Sequence, residues 1–394
     1  MFAVLCWLEL IDSDNIFLFS RKFHLIFMTK LGIDASRFKS DGATGVEWYS
    51  WHIIRAIEKA LGKDKKTHLI LYSRDRISDF QHVENRVLEE KRFWTLRALS
   101  REIRKNPPDI LFVPSHTLPL KLPKRSVITI HDVAFRYLRK SYSFFQYHHL
   151  NLTTKHAVKH ADKIIVPSET TKSDLINLFN CPAEKISCVY HGFTPPKNPP
   201  NDIFEKSEIL KYFEITPSLP YILFVGRLES KKNLARLVEA FASFNKKHPE
   251  YKLVLAGKRG VGFQEVLNAV NKSGVAENII MPGYITEDEK SFLYQHCKFF
   301  AFCSLYEGFG LPILEAFHYG KPVLTSSVSS MAEVGADAVL YADPYDVENI
   351  SEGLETLAQE DNYNQELVKK GRARLEDFSW EKAAEETLKV LYGQ

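Results

Sequence analysis

From Lys30 onward, short apolar runs alternate with longer stretches in which apolar residues recur every three or four positions. The short runs, at 30–34, 67–72, 109–113, 126–130 and 162–166, predict strands. The longer stretches, near 46–61, 86–105, 141–160 and 170–179, predict helices. A second series follows, with strands at 221–225, 251–256, 278–281, 299–302, 322–325 and 338–340 and helices between them. One of those helices carries Leu234, Leu237, Val238, Phe241 and Phe244, whose spacing builds a single apolar face. Between the two series lies Thr194-Pro195-Pro196-Lys197-Asn198-Pro199-Pro200-Asn201-Asp202, stiff enough to separate two domains. Strand–helix alternation on both sides predicts α/β architecture, with two doubly wound, Rossmann-like domains at 28–196 and 203–378. An amphipathic helix at about 380–392 fills the final segment, 379–394.

Residues 1–27 do not fit that alternation. Phe2 to Ile11 and Ile16 to Met28 are largely apolar, yet Glu9, Asp12, Asp14, Arg21 and Lys22 interrupt them. Neither stretch reaches the roughly eighteen apolar residues of a membrane helix, and no basic segment precedes Phe2 as a signal peptide would require. With Met28 directly before the first strand, the segment reads as an upstream extension from a misassigned start, in preference to a short membrane-surface anchor. Asp12-Ser13-Asp14 has the form of a metal-binding DxD motif but falls inside this extension.

Composition narrows the class. A chain of 394 residues, 45% hydrophobic, can fill two cores. A formal charge of +3 is close to neutral at this size and does not indicate a nucleic-acid binder. Five cysteines, in no metal-like spacing, indicate reduced thiols and a cytosolic protein, with Cys181 and Cys188 as small buried residues. No repeats or low-complexity tracts occur.

The chemistry concentrates where strands end. After the apolar run Phe299 to Cys303 comes Glu307-Gly308-Phe309-Gly310-Leu311-Pro312-Ile313-Leu314-Glu315, two carboxylates around a glycine-rich turn into a helix. Its glycines let backbone N–H groups approach a ligand, Pro312 suits a first helical turn, and the helix N-terminus favours electron-rich groups. After the strand Tyr221 to Val225 comes Gly226-Arg227-Leu228-Glu229-Ser230-Lys231-Lys232-Asn233. There Arg227 offers a planar fork for paired phosphate oxygens and Lys232 a compact charge, while Lys231 reads as a solvated lysine. The first half supplies Asp41-Gly42-Ala43-Thr44-Gly45, in which Gly45 could admit a diphosphate to the main chain, and His131-Asp132 after Val127 to Ile130. A plain turn and a structural histidine are the alternatives for these two.

Taken together these segments resemble the retaining family 4 glycosyltransferases, the glycosyl transferases group 1, whose fold is GT-B: two Rossmann-like domains facing a central cleft. The family's Glu, seven residues, Glu pattern is met by Glu307 and Glu315, and its Gly-Arg … Lys-Asn motif by Gly226, Arg227, Lys232 and Asn233. Val189-Tyr190-His191-Gly192, His131-Asp132 and the stretch Ser329 to Ala338 with Asp343-Pro344 add to the likeness, which runs from about Thr29 to the C-terminus. The resemblance implies hexosyl transfer from a nucleoside-diphosphate sugar, GDP-mannose first and UDP-sugars next, with retention of anomeric configuration, no metal ion and no cofactor. It implies catalytic roles for His131, Arg227, Lys232 and Glu307. Donor binding falls to Gly45, Tyr284, Gly308, Phe309, Gly310, Leu311 and Glu315, with Glu315 on the ribose and the loop Gly283-Tyr284-Ile285 near the base. The acceptor it implies is a glycan or lipid-linked saccharide, as in bacterial polysaccharide synthesis, met in the cytoplasm or at the inner membrane face, and no nucleic acid. Two basic, aromatic-bearing helices, from Lys91 to Lys105 and from Arg136 to Lys163, are candidates for peripheral membrane contact. The competing readings are a non-catalytic nucleotide-sugar-binding protein and a sugar-nucleotide epimerase on the same fold.

Overall fold

A computed structural model describes residues 28–39, 43–62, 66–80, 83–90 and 92–394. The extension 1–27 with its Asp12-Ser13-Asp14, together with Asp41, Gly42 and Lys91, lies outside the described residues. Two sheets organise the chain. The first holds β1 (Thr29–Asp34), β2 (Thr67–Ser73), β3 (Glu84–Val87), β4 (Ile110–Val113), β5 (Arg125–Thr129), β6 (Lys163–Val166) and β7 (Ile186–Cys188), in the order β3-β2-β1-β4-β5-β6-β7. The second holds β8 (Tyr221–Val225), β9 (Lys252–Ala256), β10 (Ile279–Gly283), β11 (Phe299–Phe302), β12 (Val323–Ser326) and β13 (Leu340–Ala342), in the order β10-β9-β8-β11-β12-β13. Every strand pairing is parallel. Each sheet therefore starts in its middle and winds outward both ways, as in a Rossmann-like domain.

Strands covered on both faces must be apolar at every position, and successive side chains point to opposite faces. In β2, Leu69 and Leu71 enter one core while Ile70 and Tyr72 enter another across the sheet. The second sheet shares one continuous core, centred on Phe224, Phe241, Phe300 and Phe302.

Two predicted helices differ from the structure. The 86–105 helix begins instead with β3, whose Glu84 to Val87 pair with Ile70 to Ser73. The turn that follows is fixed by the buried Trp94, whose indole N–H donates to the Leu88 carbonyl at 2.8 Å, and only Thr95–Leu99, wound as a π-helix, and Ser100–Lys105 are helical. The 141–160 helix starts at Phe144, because Ser143 caps it: its hydroxyl accepts from Gln146 N at 3.2 Å while the Gln146 side chain accepts from Ser143 N at 3.0 Å.

The last helix, Trp380–Tyr392, returns to the first sheet. Trp380, Ala383, Ala384 and Leu391 complete the core beneath β1, β2 and β5, and Lys59 pairs with Glu381 at 2.9 Å. Gly192 is required at this crossing: a Cβ there would lie 2.3 Å from the Trp380 backbone nitrogen. Among the described residues no helix is long and apolar enough to cross a membrane.

Candidate active site

In an open parallel sheet, ligands bind beyond the carboxyl ends of the strands where the winding reverses. In the second sheet that point lies between β8 and β11. Gly226-Arg227 leaves β8 there and Glu307-Gly308 leaves β11, so the two motifs meet although eighty residues separate them in sequence. Lys232 donates to the Glu307 carboxylate at 2.5 Å, with the two side chains only 12% and 10% exposed. Burial lowers the Lys232 pKa, against the opposing pull of Glu307. Such a pair is held in place by its own charges and leaves part of each group's hydrogen-bonding capacity for a ligand.

The turn around Glu307 is built by both domains. Ser329 and Ser330 donate to the Glu307 carbonyl at 2.6 and 2.9 Å, and Ser330 also reaches the Phe309 carbonyl at 2.7 Å. From the other side the His131 backbone comes so close to Gly308 that a Cβ would lie 2.1 Å from its carbonyl oxygen. Gly310 has φ 122°, outside the range of L side chains, and opens the Leu311–His318 helix. The Phe309 side chain is packed away against Tyr190, His191 and Phe378, which leaves its backbone to the site.

Glu315 accepts from Lys290 at 2.8 Å and from the Tyr294 hydroxyl at 3.0 Å. Burial lowers the Lys290 pKa, but Glu315 and Glu287 outweigh it and raise the group overall. Neither Lys290 nor Tyr294 was found from the sequence, because both lie on a helix, Glu287–His296, whose motif-free sequence gives no hint of what it faces.

A cavity of about 820 Å³ runs between the domains, lined by Gly45, Arg227, Lys258, Tyr284, Leu311 and Glu315 among others. Gly45 opens the Gly45–Leu61 helix beyond β1, with free space where its Cβ would be. Tyr284 stands half exposed, with the Lys258 ammonium 4.4 Å from its ring centre. A second cavity, about 330 Å³, shares Arg227 and is otherwise lined by Tyr142, Gln146, Glu229 and Lys231 among others. Lys231 is therefore not the solvated lysine expected from the sequence. It lies 3.7 Å from Glu229, and although burial alone would lower its pKa, Glu307, Asp132 and Glu229 raise it. The turn that carries it is tied to the Glu307 loop by the Leu305 N–H, which donates to its carbonyl at 2.9 Å.

His131 lies at the end of β5 among rings: Tyr49 at 4.7 Å, His116 at 5.1 Å and His191 at 5.4 Å between centroids. Its Nε2 is 3.2 Å from the Pro114 carbonyl. Burial, reinforced by the neighbouring histidines, holds its pKa well below the usual value, so the imidazole is neutral at pH 7. Burial pushes His191 down to about 3, and neither of its ring nitrogens has a hydrogen-bond partner among the described residues. Among the described residues no group of three or more His, Cys, Asp or Glu could hold a metal ion.

An ammonium, a guanidinium, positioned carboxylates and a neutral imidazole thus meet where two domains face each other, an arrangement suited to an anionic, hydroxyl-bearing ligand. Residues 205–374 match the family model of the glycosyl transferases group 1, and residues 44–195 match that of glycosyltransferase family 4. The chain is 31% identical over 280 residues to the O-antigen chain mannosyltransferase B of Escherichia coli, spanning 70% of this chain and 72% of that protein. Its fold is similar to that of sucrose-phosphate synthase from Thermosynechococcus elongatus (TM-score 0.70, 17% identity, 93% of this chain and 98% of that one). It is also similar to HepE from Anabaena, solved with UDP-glucose (TM-score 0.68, 17% identity, 93% and 100%). The two sheets, the order of the motifs upon them and these likenesses agree: the chain belongs to the glycosyl transferases group 1 and is a glycosyltransferase of the GT-B fold.

Proposed function

We propose that this enzyme moves a hexose from a nucleoside-diphosphate sugar to a saccharide acceptor that is a glycan or lipid-linked, with retention of configuration and without a metal ion. The observation that carries this reading is the large cavity between the domains, which places Gly45 across from Arg227 and extends to Glu315 and Tyr284. A diphosphate beside Arg227 would meet the guanidinium, with the Lys232 ammonium deeper in the cleft, so that leaving-group charge is met by protein cations. Glu315, fixed by Lys290 and Tyr294, keeps lone pairs for ribose hydroxyls. Glu307 and the backbone of Gly308 to Leu311 would hold the sugar, with neutral His131 nearby to donate or accept one hydrogen bond. Because Glu307 is paired with Lys232, it is a poor nucleophile, which favours attack by the acceptor hydroxyl on the face the diphosphate leaves. There the bond from anomeric carbon to phosphate oxygen breaks, the bond to the acceptor oxygen forms, and the acceptor proton passes to the departing phosphate.

The smaller cavity beside Arg227 lies within reach of that diphosphate and is the natural place for the acceptor. Mannose is the leading sugar because the relative from Escherichia coli is a mannosyltransferase. HepE, crystallised with UDP-glucose, keeps UDP-sugars as the second choice. The test is a panel of GDP- and UDP-sugars followed by thermal shift, with products analysed by NMR. GDP-mannose should give the largest stabilisation and an α-linked product, and transfer should survive EDTA. Stabilisation by no nucleotide sugar, or an activity lost to EDTA and restored by manganese, would overturn the corresponding part.

A further inference from the structure

Asp174 is a buried carboxylate in the first domain that the proposed reaction does not use. It sits on the Glu169–Phe179 helix, after β6. Its two oxygens accept from two phenols, Tyr137 at 2.5 Å and Tyr306 at 2.5 Å. Tyr137 belongs to the same domain, whereas Tyr306 comes from the second domain and directly precedes Glu307. The two rings stack, with centroids 5.4 Å apart. Around this bond the same helix start makes two more bridges between the domains: Ser168 donates to the Gly308 carbonyl at 2.9 Å, and the Glu169 N–H donates to the Glu333 carboxylate at 2.9 Å. Glu333 lies on the Ser330–Gly335 helix, whose first serine holds the Glu307 and Phe309 carbonyls.

We propose that Asp174 is a positioning residue that acts through Tyr306: closure of the two domains onto the Asp174 carboxylate sets the Glu307–Phe309 loop in its working conformation. A carboxylate loses hydration when it is buried and must recover that loss in hydrogen bonds. With the domains apart, water and Tyr137 serve Asp174. With them together, Tyr306 replaces water, and it is available at the right place only when the loop has the conformation seen here. The carboxylate thus rewards one loop geometry and one domain arrangement at once. Phenols suit this task because they stay protonated: burial, then Asp174 itself, raises Tyr137 to about 12, and the same causes raise Tyr306. The fixed loop then presents Glu307 to Lys232. The catalytic half of this inference rests on the reading that places donor sugar at Glu307.

The test uses the full-length enzyme and three variants, Tyr306→Phe, Asp174→Asn and Tyr137→Phe. Hydrogen exchange of the free protein comes first, because it reads loop opening without any substrate. Amides of 305–310 and of 168–169 should exchange at least about tenfold faster in Tyr306→Phe and Asp174→Asn, with β8 and β9 unchanged. Tyr137→Phe, which leaves the bond between domains intact, should show a smaller effect. Steady-state rates with GDP-mannose or the active UDP-sugar should then show kcat reduced about tenfold in Tyr306→Phe, with GDP or UDP affinity within about twofold of wild type. Unchanged exchange in a folded Tyr306→Phe protein overturns the latch. Faster exchange with full turnover leaves a structural bond and overturns the positioning role. Glu307→Gln separates the two readings: if it keeps full turnover the site assignment fails, and if it alone loses turnover the latch fails.

Discussion

Lys231 and Lys232 are neighbours in sequence yet face different partners. Lys232 is locked onto Glu307, whereas Lys231 lines the smaller cavity with Tyr142 and Glu229. Replacing Arg227 or Lys232 by alanine should slow transfer by about a hundredfold or more, the usual scale for losing a contact to transition-state charge. Lys231→Ala should raise the acceptor KM and leave nucleoside-diphosphate affinity nearly unchanged, so initial rates varied in each substrate separate the two lysines. The same logic divides the carboxylates. Glu315→Gln should weaken nucleotide binding by about 1–3 kcal/mol, the range for a charged hydrogen bond, visible by titration calorimetry. Glu307→Gln should cut turnover more than it weakens the free nucleoside diphosphate. The reverse pattern would exchange their roles, and no change in either variant would make the motif a structural corner.

The strands legible in the sequence were those that carry an apolar run, most of them inside the sheets. β3 and β7 escaped notice because neither carries such a run, whereas the edge strands β10 and β13 do. β3 reads Glu-Asn-Arg-Val and exposes much of its surface, and β7 is three residues long. The motif corners were legible as local patterns of glycine, arginine and carboxylate. What those corners touch was not, because Lys290 with Glu315, Asp174 with Tyr306 and His131 with Gly308 are contacts between distant segments, which periodicity does not encode. Gly308 shows the difference. Its sequence context calls for a flexible turn, but the structure shows that the opposite domain's backbone occupies the space of a Cβ. Gly308→Ala should therefore push the domains apart, lowering turnover at least about tenfold. Nucleotide affinity should fall far less, since Arg227 and Glu315 both belong to the second domain. Rates alongside calorimetry check this, and unimpaired turnover would show that the domains meet differently in solution.

Two properties belong to the molecule as a whole. The first is its response to acid. Burial lowers the pKa of His131, of His52 to about 4 and of His191 to about 3. An unfolded chain with histidines near 6.5 binds more protons than the native state between those values, so stability is full above pH 6.5 and falls as pH drops toward 4. Each such imidazole costs up to about 1.4 kcal/mol per pH unit in that window. Urea midpoints at pH 7.5 and 5.5 should show the loss, and His191→Phe should shrink the difference. The second property is an asymmetric surface. Residues 134–161 contain no Asp or Glu but five Lys or Arg and four His. Along the Phe144–His160 helix, Phe144, Phe145 and Leu152 are exposed together, Phe145 at 83%. Exposed aromatics on a helix that carries basic residues and no Asp or Glu suit the interface of an anionic bilayer. That helix also contributes Gln146 to the smaller cavity, with Ser141 and Tyr142 just before it, so a docked enzyme would open that cavity toward lipid. Vesicles containing phosphatidylglycerol should therefore cosediment the protein, neutral phosphatidylcholine vesicles should not, and salt should weaken binding because the attraction is screened. Phe144→Ser with Phe145→Ser should reduce cosedimentation and leave transfer to a water-soluble acceptor intact. Equal binding to neutral and anionic vesicles, or full binding by the double variant, would remove this face as the point of contact.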